Sequence, residues 1–526
     1  MLVENGLLIG KGQRDNIIIP KMANRHGLIA GATGTGKTVT LKVMAESFSD
    51  LGVPVFMADI KGDLSGMINP GESSEKLNAR LQELELENFP FQAYSTTFWD
   101  VYAERGIPVR TTISEMGPLL LGQILELNDT QQSILDIVFR IADEQQLLLL
   151  DYKDLKEMIA YVMDHSKDLK ADYGNLPSAS VATIQRRLIS FEADGFANLF
   201  FGEEALSVSD FIKTDRDGRG IINVLRAEKL YQQPRLYATF LLWMLSELFE
   251  ELPEVGDMEQ PKLVFFFDEA HLLFNNAPKA LLDKVEQVVR LIRSKGIGIY
   301  FITQSPEDIP DVILGQLGNR VQHALRAYTP RDQKAIRAAA ESFRGDNTVD
   351  VEKAITELKV GQAIISFLDE EGRPAIVDIA TILPPMSAFG PAEESDVIAT
   401  YQADPYYARY KDMIDRESAF EILRGKVEQE NAAEQAELDA KAEAKAQAEA
   451  EKQAAKEAKE AEKAQREAER QAAREAKEAE RAAREAEKND VVGNLIKTAT
   501  RAATSSVGRQ IGTQIVRGLL GSLLKR

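Results

Sequence analysis

Residues 26–38 read His26-Gly27-Leu28-Ile29-Ala30-Gly31-Ala32-Thr33-Gly34-Thr35-Gly36-Lys37-Thr38. The last eight match G-x-x-x-x-G-K-[ST], behind an apolar run of strand length and ahead of a helical pattern over 39–49. Strand, glycine-rich turn and helix in that order make a phosphate cradle. The glycines let backbone N–H groups wrap phosphate oxygens, and the helix N-terminus adds the positive end of its dipole. Lys37 would reach the β and γ phosphates of a nucleoside triphosphate, and the Thr38 hydroxyl would bind Mg²⁺. The alternative is a glycine-rich turn without a ligand.

Far along the chain, the apolar run 263–267 ends in Asp268-Glu269-Ala270-His271. A buried strand with two carboxylates at its C-terminal end suits the other half of a nucleotide site: Asp268 would hold Mg²⁺ through water and Glu269 would orient the attacking water. Asp-Glu pairs also occur at ordinary turns, so the phosphate loop lends this reading its weight. His271 reads as a packing residue, or as one that supports a neighbouring site residue, rather than as a catalyst. The run 298–303 ends in Gln304, an amide that can sense the γ phosphate or simply close a strand. Asp59, Lys61 and Asp63 follow the run 54–58; they either border the ligand edge of the sheet or stabilise its turn. Phosphoryl transfer also gains from a positive charge inserted late, often by a neighbouring subunit. Arg290, Arg293, Arg320, Arg326 and Arg331 are the candidates, with Arg320 favoured and then Arg293; a surface ion pair is the alternative for each.

Apolar runs alternating with helical patterns imply an α/β fold, a parallel sheet covered by helices on both faces. The expected division is a first core segment with the phosphate loop (1–112) and an α-helical insertion (113–212) with helices near 129–144, 152–164 and 180–193. A second core segment follows (213–386), with the Asp268-Glu269 strand and Gln304. Beyond it lie a linker and helical extension (387–426), an Ala/Glu/Lys/Arg-rich rod (427–490) and a basic amphipathic tail (491–526).

Composition narrows the class. The 526 residues are 44% hydrophobic and 28% charged, which excludes collagen-like and low-complexity chains. Zero cysteines exclude disulfides, thiolate zinc sites and a cysteine nucleophile. The net charge of −20 argues against a broadly basic exterior but leaves room for a local basic channel. The start of the chain lacks the pattern of a signal peptide, and no run approaches 18 apolar residues, so a cytoplasmic location is expected.

Residues 427–490 hold 19 acidic and 13 basic side chains, whereas 491–526 hold six basic and no acidic ones; the −20 therefore falls on the body. The rod lacks Gly and Pro and carries i,i+4 pairs such as Glu462 with Arg466 and Glu480 with Arg484. It would span roughly 90 Å as a helix, either solitary or in a coiled coil along its alanine stripe. The tail combines residues such as Leu519, Leu520 and Leu523 with its six cations. It could lie peripherally on the inner face of a membrane, or dock on the acidic body or on its own copies, with Gly508-x-x-x-Gly512 permitting close helix contact.

These motifs, together with Asp59-Ile60-Lys61-Gly62-Asp63, Phe266 through Phe274, Arg290 through Gly296 and Gln316 through Arg326, resemble the HerA-type branch of the FtsK-HerA superfamily of additional-strand P-loop ATPases. Within it, the chain more closely resembles the bacterial HerA-like proteins formerly grouped as a domain of unknown function, of which the YjgR proteins are examples. The resemblance covers roughly residues 1–386. It implies a RecA-like core, ATP and Mg²⁺ as cofactors, a homo-hexamer, and helicase- or translocase-like action on DNA. Only residues 1–25 precede the strand of the phosphate loop, fewer than the N-terminal β-barrel of the HerA helicases needs, so a core without that barrel is expected. Two functions stay open: an ATP-hydrolysing motor on nucleic acid, and an ATP-switched interaction or scaffold protein recruited to a membrane or protein partner through its rod and tail.

Overall fold

Leu263–Phe267 is apolar without alternation and wholly buried, the pattern of a strand covered on both faces. It is the ninth strand of a sheet seen in the computed structural model, which describes residues 1–488 except 194, 257, 276–278 and 346–348, and except the side chains of 280, 281, 331 and 485–488. The tail expected at 491–526 lies outside the described residues. Among the described residues the sheet has thirteen strands: β1 (Leu2–Val3), β2 (Gly6–Lys11), β3 (Asp15–Ile18), β4 (Gly27–Ala30), β5 (Val55–Asp59), β6 (Thr96–Asp100), β7 (Ile107–Pro108), β8 (Ile222–Arg226), β9 (Leu263–Phe267), β10 (Ile297–Thr303), β11 (Asn319–Gln322), β12 (Gln362–Ser366) and β13 (Asp378–Ile382).

Strands β11-β4-β10-β9-β5-β8-β6-β7, in that spatial order, run parallel. Their carboxyl ends therefore meet at one edge, where open α/β sheets bind ligands. Beyond β11 the sheet continues antiparallel through β12, β13, β2 and β1, with β3 on β2, so the N-terminal hairpin extends the core sheet. Strand β10 lies between the phosphate-loop strand β4 and the carboxylate strand β9, in the position of an additional strand. Aromatic rings fill the layer: Phe265 stacks on Phe56 at 4.4 Å, and Phe266 meets Tyr300 at 5.3 Å.

Between β7 and β8 the described residues form helices, including Asp129–Glu144, Tyr152–Asp164 and Ser178–Glu192. The first two start at capping boxes, Asn128 with Gln131 and Asp151 with Asp154, which satisfy orphan N–H groups at their ends. The start of the segment read as a linker lies against the core. Met386 N and Ser387 N and Oγ donate to the buried Glu46 carboxylate, on the helix Lys37–Asp50 that follows the phosphate loop. The short helices Glu394–Ala403 and Pro405–Tyr410 come next; Thr97 on β6 donates to Asp404 (2.7 Å), and Tyr406 packs on Trp99.

The chain divides into two units, 1–427 and 428–526. One helix, Ala419–Lys488, runs for 70 residues, and its described side chains from Glu428 to Arg484 are all exposed. Among the described residues no helix is long and apolar enough to cross a membrane.

Removing the Glu46 carboxylate orphans two buried backbone donors. Glu46→Ala should therefore destabilise the folded chain by about 2–4 kcal/mol, and Glu46→Gln by less, both read from the shift of the urea midpoint of unit 1.

Candidate functional site

The loop Gly31–Thr38 leaves the carboxyl end of β4, and the sheet holds it from below. Gly31 N donates to Thr303 O at the end of β10 (3.2 Å), Ala32 N to Ala324 O (2.9 Å), and Gly361 N to Thr35 O (3.0 Å). Gly34 and Gly36 have φ of 77° and 121°, conformations that side chains other than glycine rarely adopt. At Gly31 a Cβ would stand 2.5 Å from His323 Cβ. Thr33 and Gly34 are exposed at the rim of the loop, and Thr35 Oγ1 bonds back to Ala32 O at 2.7 Å.

Lys37 Nζ folds over its own loop and donates to Gly31 O (2.6 Å) and Ala32 O (3.2 Å). Burial lowers its pKa, and the nearby Glu269 and Asp268 carboxylates oppose that shift. The lysine thus stands in the field of the β9 carboxylates, although some 230 residues of chain lie between them.

Asp268 and Glu269 leave the end of β9, where Tyr237 Oη donates to Asp268 O (3.0 Å) and Ala270 N to Ile302 O (2.9 Å). Burial, with Glu269 adjacent, pushes the Asp268 carboxyl up to about 7, while Lys61 and Lys37 pull it down. A half-buried carboxyl that resists ionisation this way is relieved by a cation, and hard oxygen donors such as Asp268 and the Thr38 hydroxyl fit Mg²⁺. Glu269 has a left-handed backbone (φ 49°), uncommon for a non-glycine residue. Gln304, exposed at the end of β10, donates from Nε2 to Glu269 Oε2 at 3.4 Å. The turn after it is locked by Asp308, whose Oδ2 accepts from Thr303 Oγ1 (2.6 Å) and Ser305 N (2.9 Å).

The remaining predicted residues divide. Asp59 is buried and accepts from the backbone N–H of Lys61, Gly62 and Leu64, so it stabilises its turn. Lys61 is exposed, yet close enough for its charge to act on Asp268 and Lys37. Arg320, the second residue of β11, donates to Leu317 O (3.0 Å), Leu314 O (3.0 Å) and Ser342 O (3.1 Å). Arg293 precedes β10 and its charge bears on His26. Both therefore stand toward the amino-terminal ends of their strands, away from the edge that carries the phosphate loop. Arg326 donates to Thr356 O (2.7 Å), and Arg290 stands 3.8 Å from Glu286.

Sequence reading missed the buttress. His323, wholly buried just past β11, has Nδ1 3.0 Å from Gln362 O and Nε2 2.8 Å from Thr40 Oγ1. A carbonyl only accepts, so Nδ1 carries the proton and Nε2 accepts from Thr40. Burial lowers the His323 pKa to about 4, with Lys37 adding to the effect, so the ring stays neutral beneath the loop. In the sequence His323 follows the mostly polar run Asn319-Arg320-Val321-Gln322, so nothing local marks it as a buried support of the loop.

Over residues 5–526 the sequence matches the family model described as helicase HerA-like, C-terminal. The chain belongs to the helicase HerA-like family. The HerA-like chain is 23% identical over 370 residues to a DNA double-strand break repair helicase HerA of Saccharolobus solfataricus, covering 68% of this chain and 65% of that protein. It is 21% identical to a probable helicase of Methanocaldococcus jannaschii, covering 66% and 60%. It therefore spans just under two thirds of the length of these relatives. Among solved structures it is similar to VirB4 of Thermoanaerobacter pseudethanolicus (14% identity, 73% and 97% covered, TM-score 0.48). Its own topology, with β10 between the loop strand and the carboxylate strand, is that of a RecA-like P-loop ATPase core.

Because a Cβ at Gly31 meets His323, Gly31→Ala should weaken nucleotide binding about tenfold in a chain that still folds, measured by calorimetric titration with ADP and by the thermal midpoint.

Proposed function

We propose that this HerA-like chain is a Mg²⁺-dependent ATPase motor that acts on DNA as a homo-hexamer in the cytoplasm. One observation carries the reading: Lys37, Asp268, Glu269 and Gln304, from three separate strands, converge on the carboxyl edge of β4, β10 and β9. Lys37, now bonded to its own loop carbonyls, would exchange them for the β and γ phosphates of ATP. Thr38 and Asp268 would hold Mg²⁺, which when bound offsets the charge of the phosphate oxygens. Glu269 would orient a water and accept its hydrogen bond. As the water oxygen bonds to the γ phosphorus, the bond to the β–γ bridging oxygen breaks, ADP leaves with that electron pair, and the water proton passes to Glu269 or the phosphate released. Gln304, bonded to Glu269, would register loss of the γ phosphate.

Arg320 or Arg293 would serve a neighbouring subunit's nucleotide. For Arg320 this requires release from three carbonyls. Action on DNA is supported by the helicase relatives and is compatible with the acidic body, since a ring needs positive charge only in its channel.

A second reading rests on the long exposed stretch of the helix Ala419–Lys488, which offers a surface for a protein or membrane partner through an ATP-controlled switch. Steady-state hydrolysis separates the two: stimulation by single- or double-stranded DNA supports the motor, and turnover indifferent to both supports the switch.

Lys37→Ala should weaken ATP binding about 100-fold or more; undiminished affinity would remove the phosphate-loop assignment. Glu269→Gln should bind ATP normally and lose turnover by about 100-fold. Chelation of Mg²⁺ with EDTA should stop hydrolysis in the unaltered chain.

A further inference from the structure

Glu269 occupies a left-handed backbone conformation that glutamate adopts at a cost, so the surroundings hold it there. Its Oε2 is approached from two sides. Gln304 Nε2 lies 3.4 Å away, and His271 Nδ1 lies 3.3 Å away. That nitrogen is itself buried and makes no aligned hydrogen bond, although the His271 ring is partly exposed. A buried polar atom left in this way is unfavourable, and the nearby Glu269 carboxylate is the acceptor that would satisfy it. Hydrogen bonds at catalytic groups are often long or poorly aligned without substrate and tighten when it binds.

We propose that His271 is a positioning residue for Glu269: its Nδ1–H and the Gln304 amide grip Oε2 when nucleotide enters, leaving Oε1 to address the attacking water. The carboxylate only accepts, so Nδ1 carries the proton and Nε2 is turned away from Glu269. The spacing explains why this residue is suited to the task. Glu269 lies in the middle of the turn after β9, and His271 opens the helix His271–Phe274, fixed by Leu272 N donating to Glu269 O and Asn275 N to His271 O. The ring is therefore carried on the same turn as the carboxylate it steadies. The inference rests on the ATPase reading above.

The test uses the full-length chain, with steady-state ATP hydrolysis, ATP binding and thermal midpoints measured for His271→Leu, His271→Asn and His271→Gln. Asn keeps an amide donor near the place of Nδ1, whereas Gln moves it toward that of Nε2. His271→Leu should lower kcat about tenfold with ATP affinity within about twofold of the parent. His271→Asn should recover most of the loss and His271→Gln should not. Combined with Glu269→Gln, His271→Leu should add no further loss, because it acts through that carboxylate. Normal turnover of His271→Leu, equal loss in Asn and Gln, or losses that multiply in the double variant would each overturn the proposal. Should His271→Leu not fold, the Asn and Gln pair decides alone. Hydrolysis in the parent that survives Lys37→Ala would instead remove the ATPase reading on which the proposal stands.

Discussion

Strand β10 is the template on which the site is assembled. Thr303 O, at its end, accepts from Gly31 N at the start of the phosphate loop, and Ile302 O accepts from Ala270 N in the turn that carries Glu269. The buried backbone groups of a parallel strand have no water to turn to, so they bind their neighbours in one register. That register pairs Thr303 with Ala30 and Phe301 with Phe267. It therefore sets how far Lys37 stands from the carboxylates, and it delivers Gln304 to the same place.

The electrostatics follow from that geometry. Lys37, Asp268 and Glu269 are drawn into a partly dry edge where each charge depends on the others. Burial lowers the lysine and raises the aspartate, and each opposes the other's shift. Phosphates and a divalent cation would bring further charges to this edge. His323 contributes by staying neutral: a charged ring under the loop would compete with Lys37, and its burial prevents that.

Much of this was legible in one dimension. The phosphate loop and the Asp268-Glu269 pair are spacing motifs attached to apolar runs, and the helices 129–144 and 152–164 begin at side chains that cap them locally. Other features were not legible. The Glu46 carboxylate meets Ser387 across 341 residues, and a sequence reading of 387–394 sees only Gly390 and Pro391, the marks of a linker. Likewise Arg320 carries the charge expected of a finger, yet its fork is occupied by three carbonyls whose positions depend on how the chain folds after β10.

The sequence by itself determined the chemistry: a loop able to wrap phosphate, a lysine and a threonine at its end, and two carboxylates closing a buried strand. Only the tertiary structure decided their assembly. It placed β10 between β4 and β9, joined the N-terminal hairpin to β13, set His323 under the loop and brought Gln304 to Glu269. The reason is physical. A motif's spacing is written by covalent geometry along the chain, whereas strand order and buttressing contacts come from satisfying buried backbone and side-chain polar groups across hundreds of residues.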